Sequence, residues 1–197
     1  MEIRERARAV LDAEAAAIAA VAIGAEFERA IEVMKVCRGN VLTTGMGKAG
    51  HIARKFAATL CSTGTPAIYV HPGEAAHGDL GVIGDNDCIV AFSTSGKTRE
   101  VLESLRLGRR LGLATVIGVT SHPDSELREL SDIVLDMGVV DEPCPIGLTP
   151  SASIAVMLAI SDALALVLLE VKKFQAADFG RRHHGGYLGT KSRSEGD

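Results

Sequence analysis

Short apolar runs alternate with helical stretches over most of the chain after residue 40. The runs are rich in Val, Ile and Ala and are bounded by Gly, Ser, Asp or Pro, which predicts buried strands. They are Val41–Thr44, Ala67–His71, Cys88–Phe92, Ala114–Thr120 and Ile133–Leu135. Helical periodicity follows most of them, at Ala49–Cys61, Arg99–Leu111 and Ser125–Leu130. This alternation predicts an α/β fold, a three-layer αβα sandwich around a central parallel sheet.

Alanine-rich helical sequence precedes the first strand. Residues Ile3 to Val36 are broken only by Gly24, which predicts one or two helices, and Gly39 and Asn40 are typical helix-ending residues. We expect one domain over residues 1–190 and a disordered tail from Lys191 to Asp197. The parts of that domain are helices at 3–36, the sheet with its helices at 41–180 and a C-terminal segment with candidate site residues at 181–190.

The run from Thr149 to Val171 is apolar almost all round a helix and is long enough to suggest a membrane span. Asp162 lies in its middle, where a bilayer would make a carboxylate cost about 2.5–3.5 kcal/mol. A central helix, or a helix between subunits, shows the same pattern, and we prefer that interpretation. Thr149 is the predicted N-cap and Pro150 the first helical residue.

Composition excludes several classes of protein. With 197 residues, 47% of them hydrophobic, the chain can bury a core without disulfides or metals. A net charge of -4 and only 4% aromatic residues argue against nucleic acid or an anionic membrane as the partner. The N-terminus lacks a signal-peptide pattern, which predicts a cytoplasmic protein. The cysteines show no CxxC spacing and are expected to be reduced and structural; they are Cys37, Cys61, Cys88 and Cys144.

Ligands of such folds bind at the carboxyl ends of the strands, so the segment after each strand is informative. Gly45–Gly50 formally matches GxGxxG, but the second strand ends in His71 rather than in an acidic residue that could hold a ribose. A Walker A loop is excluded because that motif has Ser or Thr directly after its lysine, whereas Ala49 follows Lys48 here. Two interpretations remain: small residues such as Gly47 admit a ligand to a helix N-terminus beside Lys48, or the turn merely carries a solvated lysine.

The segment Ser93–Thr98 is the strongest phosphate signal in the chain. Its sequence, STSGKT, places hydroxyl groups, a permissive glycine and a lysine directly before a helix. A capping loop would explain one hydroxyl but not four, which include that of Thr94. Because the chain lacks a Walker lysine motif and nearby Mg²⁺ carboxylates, a phosphomonoester fits better than a nucleoside triphosphate.

Three further segments carry candidate chemistry. His71–Gly81 contains two histidines and two acids, but its spacing matches no familiar zinc pattern, and Pro72-Gly73 is expected to break any helix there. We therefore expect no metal and interpret His71 and His77 as polar contacts to a substrate. Asp141–Pro145 and Arg181–Gly186 are either ordinary surface loops or carriers of catalytic groups.

Taken together, these segments resemble the sugar isomerase (SIS) family, and within it the arabinose-5-phosphate isomerases. The matching segments run in the family's order from Gly45 to Gly189: GMGKAGHIARK, STGTPAIYVHPGEAAHGDLG, STSGKTRE, EPCPIGLTPSAS and HHGGYLG. The resemblance implies a flavodoxin-like αβα sandwich and a homotetramer. It also implies interconversion of D-ribulose 5-phosphate and D-arabinose 5-phosphate, the first step toward the lipopolysaccharide sugar Kdo, without a cofactor.

The resemblance also implies the roles of individual residues. The family's catalytic groups match Lys48, Glu100, Glu142 and His183, and its phosphate contacts match Ser93, Ser95 and Thr98. The family commonly reads His-Pro-Gly-Gly, whereas His184 stands here in the proline position and adds a second imidazole. Isomerisation needs a base, a group that stabilises the enediolate charge and an anchor for the phosphate, which these residue types supply.

Two alternatives stay open at the level of sequence: a SIS isomerase of another phosphosugar, such as a hexulose 6-phosphate or sedoheptulose 7-phosphate, and a non-catalytic phosphosugar sensor. The acid–base candidates, and the lack of a DNA-binding helix-turn-helix pattern, argue against the sensor. Many family members continue into paired CBS modules, whereas this sequence ends at Asp197. Feedback by CMP-Kdo, if it operates, is therefore expected to use this domain, near His71, His77 and His183.

Overall fold

A five-stranded parallel sheet forms the centre of the molecule, in the computed structural model, which describes residues 2–194 without the side chains of 188 and 192–194. The strands are β1 (Val41–Gly45), β2 (Ala67–Tyr69), β3 (Cys88–Phe92), β4 (Thr115–Thr120) and β5 (Ile133–Asp136). Their spatial order is β2-β1-β3-β4-β5, with Val41 opposite both Ala67 and Cys88. This flavodoxin-like order confirms the predicted α/β fold, and the chain reverses direction across the sheet between β1 and β3.

Helices cover both faces of the sheet. They are α1 (Ile3–Ala19), α2 (Ala25–Val36), α3 (Gly47–Ser62), α4 (Pro72–Ala75), α5 (Arg99–Arg110), α6 (Glu126–Leu130), α7 (Ala152–Val171), α8 (Ala176–Arg182) and α9 (Gly186–Ser194). In β3, Val90 and Phe92 face the layer of α2, α3 and α7, while Ile89 and Ala91 face the layer of α4, α5 and α6. A strand that is covered on both faces, such as β3, forms a short apolar run, which is why the sequence pattern predicted its position correctly.

The apolar helix α7 is a core helix of this fold. By length and composition it is the one described helix that could span a membrane, but half of its most apolar window is buried inside the molecule. It packs against α1, α2 and α3. The predicted start was wrong: Ser151, and not Thr149, is the N-cap, and Ala152 rather than Pro150 is the first helical residue. The cause is a carboxylate that binds the first amides from outside the helix, as the next subsection shows.

Other boundaries differ from the sequence predictions for local reasons. The N-terminal stretch forms two helices, because the chain leaves α1 before Gly24. β2 ends at Tyr69, two residues early, since His71 is the N-cap of α4. Pro72 was expected to break a helix, but at the first helical position a proline loses no hydrogen bond and begins this short one. Residues 191–194 of the expected tail belong to α9, and 195–197 lie outside the described residues.

Candidate active site

The carboxyl ends of the three neighbouring strands β2, β1 and β3 bring most of the predicted residues to one edge of the sheet. The turn after β1 carries Gly47 and Lys48, and the loop after β3 carries Ser93 to Thr98. His71 follows β2. The crevice between β1 and β3, where the strand order reverses, is the place at which such sheets bind ligands.

The turn between β1 and α3 presents Lys48 to solvent. Gly47 takes a positive φ of 59°, which a glycine adopts without strain, and Lys48 follows it in the first turn of α3. Sequence reasoning missed the residue that holds this turn, because it lies 24 positions away: the Tyr69 hydroxyl donates a hydrogen bond of 3.1 Å to the carbonyl of Gly45. The guanidinium of Arg54 lies 4.8 Å from the centre of the Tyr69 ring and stabilises that ring by a cation–π contact.

The loop from Ser93 to Thr98 is tied together by its own hydroxyl groups. Ser93 is only 4% exposed, and its Oγ lies 2.9 Å from Oγ1 of Thr98 and accepts a bond from the amide of Gly96. The Ser95 hydroxyl accepts a bond of 3.2 Å from the amide of Lys97. Ser93 and Thr98 thus organise the loop, while Ser95 is half-buried and lies nearer the solvent.

Residues at the end of β4 and in α6 bind two carbonyl groups of this loop. The carbonyl of Thr94 accepts bonds from the Thr120 hydroxyl and the Ser121 amide, and that of Gly96 accepts one from the Leu127 amide. Within residues 2–194, no hydrogen bond uses the amides of Ser95 or Thr98. Unpaired amides at the start of a twelve-residue helix bind anions, so this loop has the form of a phosphate cradle.

Glu100 and the two central histidines follow the strands at this same edge of the sheet. Glu100 is exposed in the first turn of α5. The His71 ring lies edge-on to Tyr69, with 6.3 Å between ring centres, and its Nδ1 is buried without a hydrogen bond in the part of the chain that the structure describes. His77 is exposed in the turn after α4. The edge therefore combines a phosphate cradle, a cation, a carboxylate and imidazole nitrogens.

Glu142 binds the N-terminus of α7 with both carboxylate oxygens. Its Oε2 accepts bonds of 2.7 Å and 2.9 Å from the amides of Ser151 and Ala152, and its Oε1 accepts one of 3.2 Å from Ser153. Burial acts to raise the pKa of Glu142, but the hydrogen bonds donated by Ser151, Ala152 and Ser153 outweigh it, so that pKa is lowered from its ordinary value. The carboxylate thus caps the helix from nine residues upstream.

The start of α7 lies level with the start of α3, which places Glu142 at the same edge as Lys48. The two helices pack side by side, and Lys55 of α3 forms an ion pair with Asp162 of α7. Near the other end, the Lys172 ammonium group donates a bond of 2.9 Å to the Thr65 hydroxyl. In each pair the two residues are 107 positions apart along the chain. Because this offset is the same at both places, the two helices run parallel and in constant register.

The segment that leads to His183 and His184 begins at the opposite edge of the sheet. The Phe174 ring packs against Gly64, at the amino end of β2, where an added Cβ would lie 2.5 Å from the ring. The described contacts of α8 are mainly with α9, and the His183 ring stacks on Phe179 at 3.7 Å. The described contacts therefore do not bring His183 to Lys48 of its own chain. Within residues 2–194, no group of three or more His, Cys, Asp or Glu side chains could hold a metal ion.

Comparison with known proteins places the fold in a family. The model of the SIS domain matches residues 34–167. Arabinose 5-phosphate isomerase KdsD of Pseudomonas aeruginosa is 46% identical over 169 residues, which are 86% of this chain and 52% of the relative. The KdsD of Escherichia coli K12 is 45% identical over the same share of this chain and 51% of its own. The chain thus spans about half the length of these relatives.

Two solved structures match over their whole length. A protein of Bacteroides fragilis NCTC 9343, described as a phosphosugar isomerase involved in capsule formation, is 40% identical, with a TM-score of 0.90 over 94% of this chain and 100% of its own. The c3406 protein of E. coli CFT073, solved in complex with arabinose 5-phosphate, is 39% identical, with a TM-score of 0.86 over 93% of this chain and 100% of its own. On the family match and these identities, the chain belongs to the SIS domain family.

Proposed function

We propose that this protein interconverts D-ribulose 5-phosphate and D-arabinose 5-phosphate. The observation that carries the proposal is the cradle at Ser93–Thr98, which leaves the amides of Ser95 and Thr98 without a hydrogen bond among the described residues and follows β3 at the β1–β3 crevice, next to the turn of Lys48. A cradle of this size suits one phosphate group, and the acid–base groups around it suit proton transfer next to a carbonyl. The substrate itself is taken from the relatives named arabinose 5-phosphate isomerase and from the complex of the E. coli CFT073 protein with arabinose 5-phosphate.

The proposed chemistry needs proton transfer and charge stabilisation. The phosphate is bound by Ser93, Thr94, Ser95 and Thr98. The ammonium group of Lys48 stabilises the enediolate oxygen, and Glu100 orients the open-chain sugar with it. His183 moves the proton between the two carbons, which by the general-base effect contributes about 10²–10⁴-fold. In this scheme neither a redox cofactor nor a metal takes part.

Glu142 has a positioning role in this scheme. Both of its oxygens already accept bonds from α7, and its lowered pKa makes it a weak base at neutral pH. It holds the start of α7, and with it the loop 143–150, beside the first turn of α3. The carbonyl of Pro143 in that loop also accepts a hydrogen bond from Arg6 of α1.

We assign the assembly to a homotetramer in the cytoplasm, in which His183 completes the site of a neighbouring subunit. The support is the departure of the C-terminal segment from the edge opposite Lys48 and the apolar residues that α7 leaves exposed, Leu166 and Val167. Light scattering at micromolar concentration is expected to show a tetramer. A stable monomer would contradict the assignment.

We further propose that this reaction belongs to Kdo synthesis and that CMP-Kdo binds as a feedback ligand at the mouth of the site. The His71 ring is half-buried and His77 is exposed, so imidazole groups are available to a sugar carboxylate. Calorimetric titration of CMP-Kdo, alone and with saturating arabinose 5-phosphate, tests this. Binding that the substrate does not weaken, or no binding, would contradict it.

Incubation of the purified protein with ribulose 5-phosphate tests the proposed reaction. We expect arabinose 5-phosphate as the product, at the same rate with and without EDTA, and no product from Lys48→Ala. Hexulose 6-phosphate and sedoheptulose 7-phosphate are the competing substrates, and faster turnover of either would identify a different isomerase. Binding of arabinose 5-phosphate without any turnover would instead identify a sensor.

A further inference from the structure

Two of the four cysteines meet at the amino edge of the sheet, away from the candidate active site. Cys37 ends α2, and Cys88 is the first residue of β3. The Cys37 thiol donates a hydrogen bond of 3.3 Å to the carbonyl of Asn86, and the Cys88 amide donates one of 3.3 Å to the carbonyl of Asn40. The 37–40 turn is thereby joined to the 86–88 segment, and Cys37 packs against the same core cluster as Cys88.

A cavity of ≈ 320 Å³ gives solvent access to this pair. Both cysteines line it, together with residues from α2, from the 85–87 turn and from the start of β4. Cys37 is half-buried, whereas Cys88 is only 2% exposed. A small oxidant in the cavity therefore reaches Cys37 before Cys88.

The pKa values of the two thiols are shifted in opposite directions. The neighbouring Cys88 side chain, aided by the amides of Gly39 and Cys88, lowers the pKa of Cys37 to about 6, against burial and the charge of Asp87. The same contact and burial raise the pKa of Cys88. Lys172 lies close enough to act on both sulfur atoms, which favours a thiolate in the pair. Cys37 is the nucleophile and Cys88 the protonated partner.

We propose that Cys37 and Cys88 form a peroxide-sensitive dithiol site that closes to a disulfide between the end of α2 and the start of β3. The Cys37 thiolate attacks one oxygen of a hydroperoxide, the O–O bond breaks, and a sulfenic acid and a hydroxide or alkoxide form. The Cys88 sulfur then attacks the sulfenic sulfur. Its proton leaves with the displaced hydroxide as water, and the two thiols have supplied the two electrons that reduce the peroxide.

The remaining cysteines provide matched controls. Cys144 also has its pKa lowered to about 6, but by the Thr149 hydroxyl and by the amides of Thr149, Ile146 and Leu148 rather than by a second thiol. Cys61 is exposed on α3 and donates to the carbonyl of Ala67. If a low pKa alone decided the outcome, Cys144 would be oxidised in the same way as Cys37. If exposure alone decided it, Cys61 would be oxidised first.

The test oxidises the fully reduced protein with hydrogen peroxide and follows thiol titration and non-reducing peptide mapping. We expect a loss of two thiols and a peptide pair that joins Cys37 to Cys88, in the wild type and equally in Cys61→Ser and Cys144→Ser. Cys88→Ser is expected to stop at a sulfenic acid on Cys37, which dimedone traps, and Cys37→Ser to lose the disulfide altogether. Absence of the 37–88 pair, or equal disulfide yield in Cys37→Ser, would overturn the proposal.

A second readout is thermal stability, since a disulfide restrains the unfolded chain. The oxidised wild type is expected to have a higher Tm than the reduced wild type, and dithiothreitol is expected to reverse the change. Cys88→Ser should show no such rise on oxidation. A rise in Cys88→Ser equal to that of the wild type would assign the effect to another group. Neither readout depends on isomerase activity, so this proposal and the proposed function can fail separately.

Discussion

The hydroxyl oxygen of Ser125 lies 2.3 Å from the position that a Cβ atom would take on Gly96. Gly96 has a positive φ of 61°, and its carbonyl is bound by the Leu127 amide from the helix that Ser125 caps. The phosphate cradle is therefore packed so closely onto the β4–α6 connection that a side chain at position 96 is excluded both by the backbone conformation and by space.

Gly96→Ala is expected to destabilise the protein more than Gly47→Ala. Both substitutions place an alanine at positive φ, which costs roughly 1–2 kcal/mol, but only position 96 also meets a neighbour, since a Cβ on Gly47 meets nothing within 4 Å. Urea unfolding of the two variants measures the difference. The double variant Gly96→Ala/Ser125→Gly should recover part of the loss. Equal destabilisation by the two alanine variants would show that the packing against Ser125 is relaxed in solution.

Ser95→Ala tests the phosphate anchor. If the Ser95 hydroxyl binds the phosphate, its removal should weaken substrate binding by about 1–3 kcal/mol, seen as a higher KM, with little change in Tm because the hydroxyl makes only the local bond to Lys97. The matched control is Ser62→Ala, an exposed hydroxyl at the end of α3. A lower Tm with unchanged KM would show that Ser95 only stabilises its turn.

The sheet and the phosphate loop could be predicted from the sequence because their signals are local. A doubly covered strand such as Cys88–Phe92 is an apolar run, and the donors of Ser93–Thr98 are contiguous. The positions of Lys48 and Ser95 at one edge follow from the parallel topology alone.

What could not be predicted depends on contacts between distant residues. The cap on α7 comes from Glu142 instead of Thr149, because a carboxylate nine residues upstream reaches the same amides. The support of Gly45 by Tyr69 gives no signal in sequence. The adjacency of Cys37 and Cys88 was missed for the same reason, since their spacing of 51 positions matches no motif and only the start of β3 brings them together.

The cap at Glu142 predicts a pH-dependent difference in stability between the wild type and Glu142→Gln. Because the folded-state pKa is lowered, the carboxylate stabilises the fold above its ordinary pKa of 4.5, and this contribution is lost as the pH falls through the folded-state value. At pH 7 the variant should be less stable by about 0.5–2 kcal/mol, the usual worth of an N-cap. Urea unfolding at neutral and acid pH measures this.

The control for that experiment is Asp141→Asn, a neighbouring exposed carboxylate. It should leave stability unchanged at neutral pH. The same Glu142→Gln variant also separates positioning from proton transfer, since a positioning role leaves the shape of the pH–rate profile unchanged. A gap between wild type and Glu142→Gln that persists unchanged in acid would contradict the cap, and loss of the acid limb of the pH–rate profile would identify Glu142 as the base.

The placement of His183 predicts that oligomers mixed from two inactive variants regain activity. His183→Ala should lower kcat by about 10²–10⁴ with little change in KM if the imidazole moves the proton, and His184→Ala should cost much less. Lys48→Ala should be inactive as well. Because α7 carries the chain from the edge of Lys48 to the edge of Thr65, the two residues of one working site are expected to come from different subunits.

Mixed oligomers made from the His183→Ala and Lys48→Ala variants, by co-expression or joint refolding, decide this point. In a shared site, some interfaces of the mixed oligomer combine an intact Lys48 with an intact His183, and activity returns at those interfaces alone. Mixing His183→Ala with a Lys48→Ala/His183→Ala double variant is the control and should stay inactive, because no subunit supplies the imidazole. If the first mixture is also inactive while native gels show mixed oligomers, both residues act within one chain, and the C-terminal segment must fold back over its own sheet during catalysis.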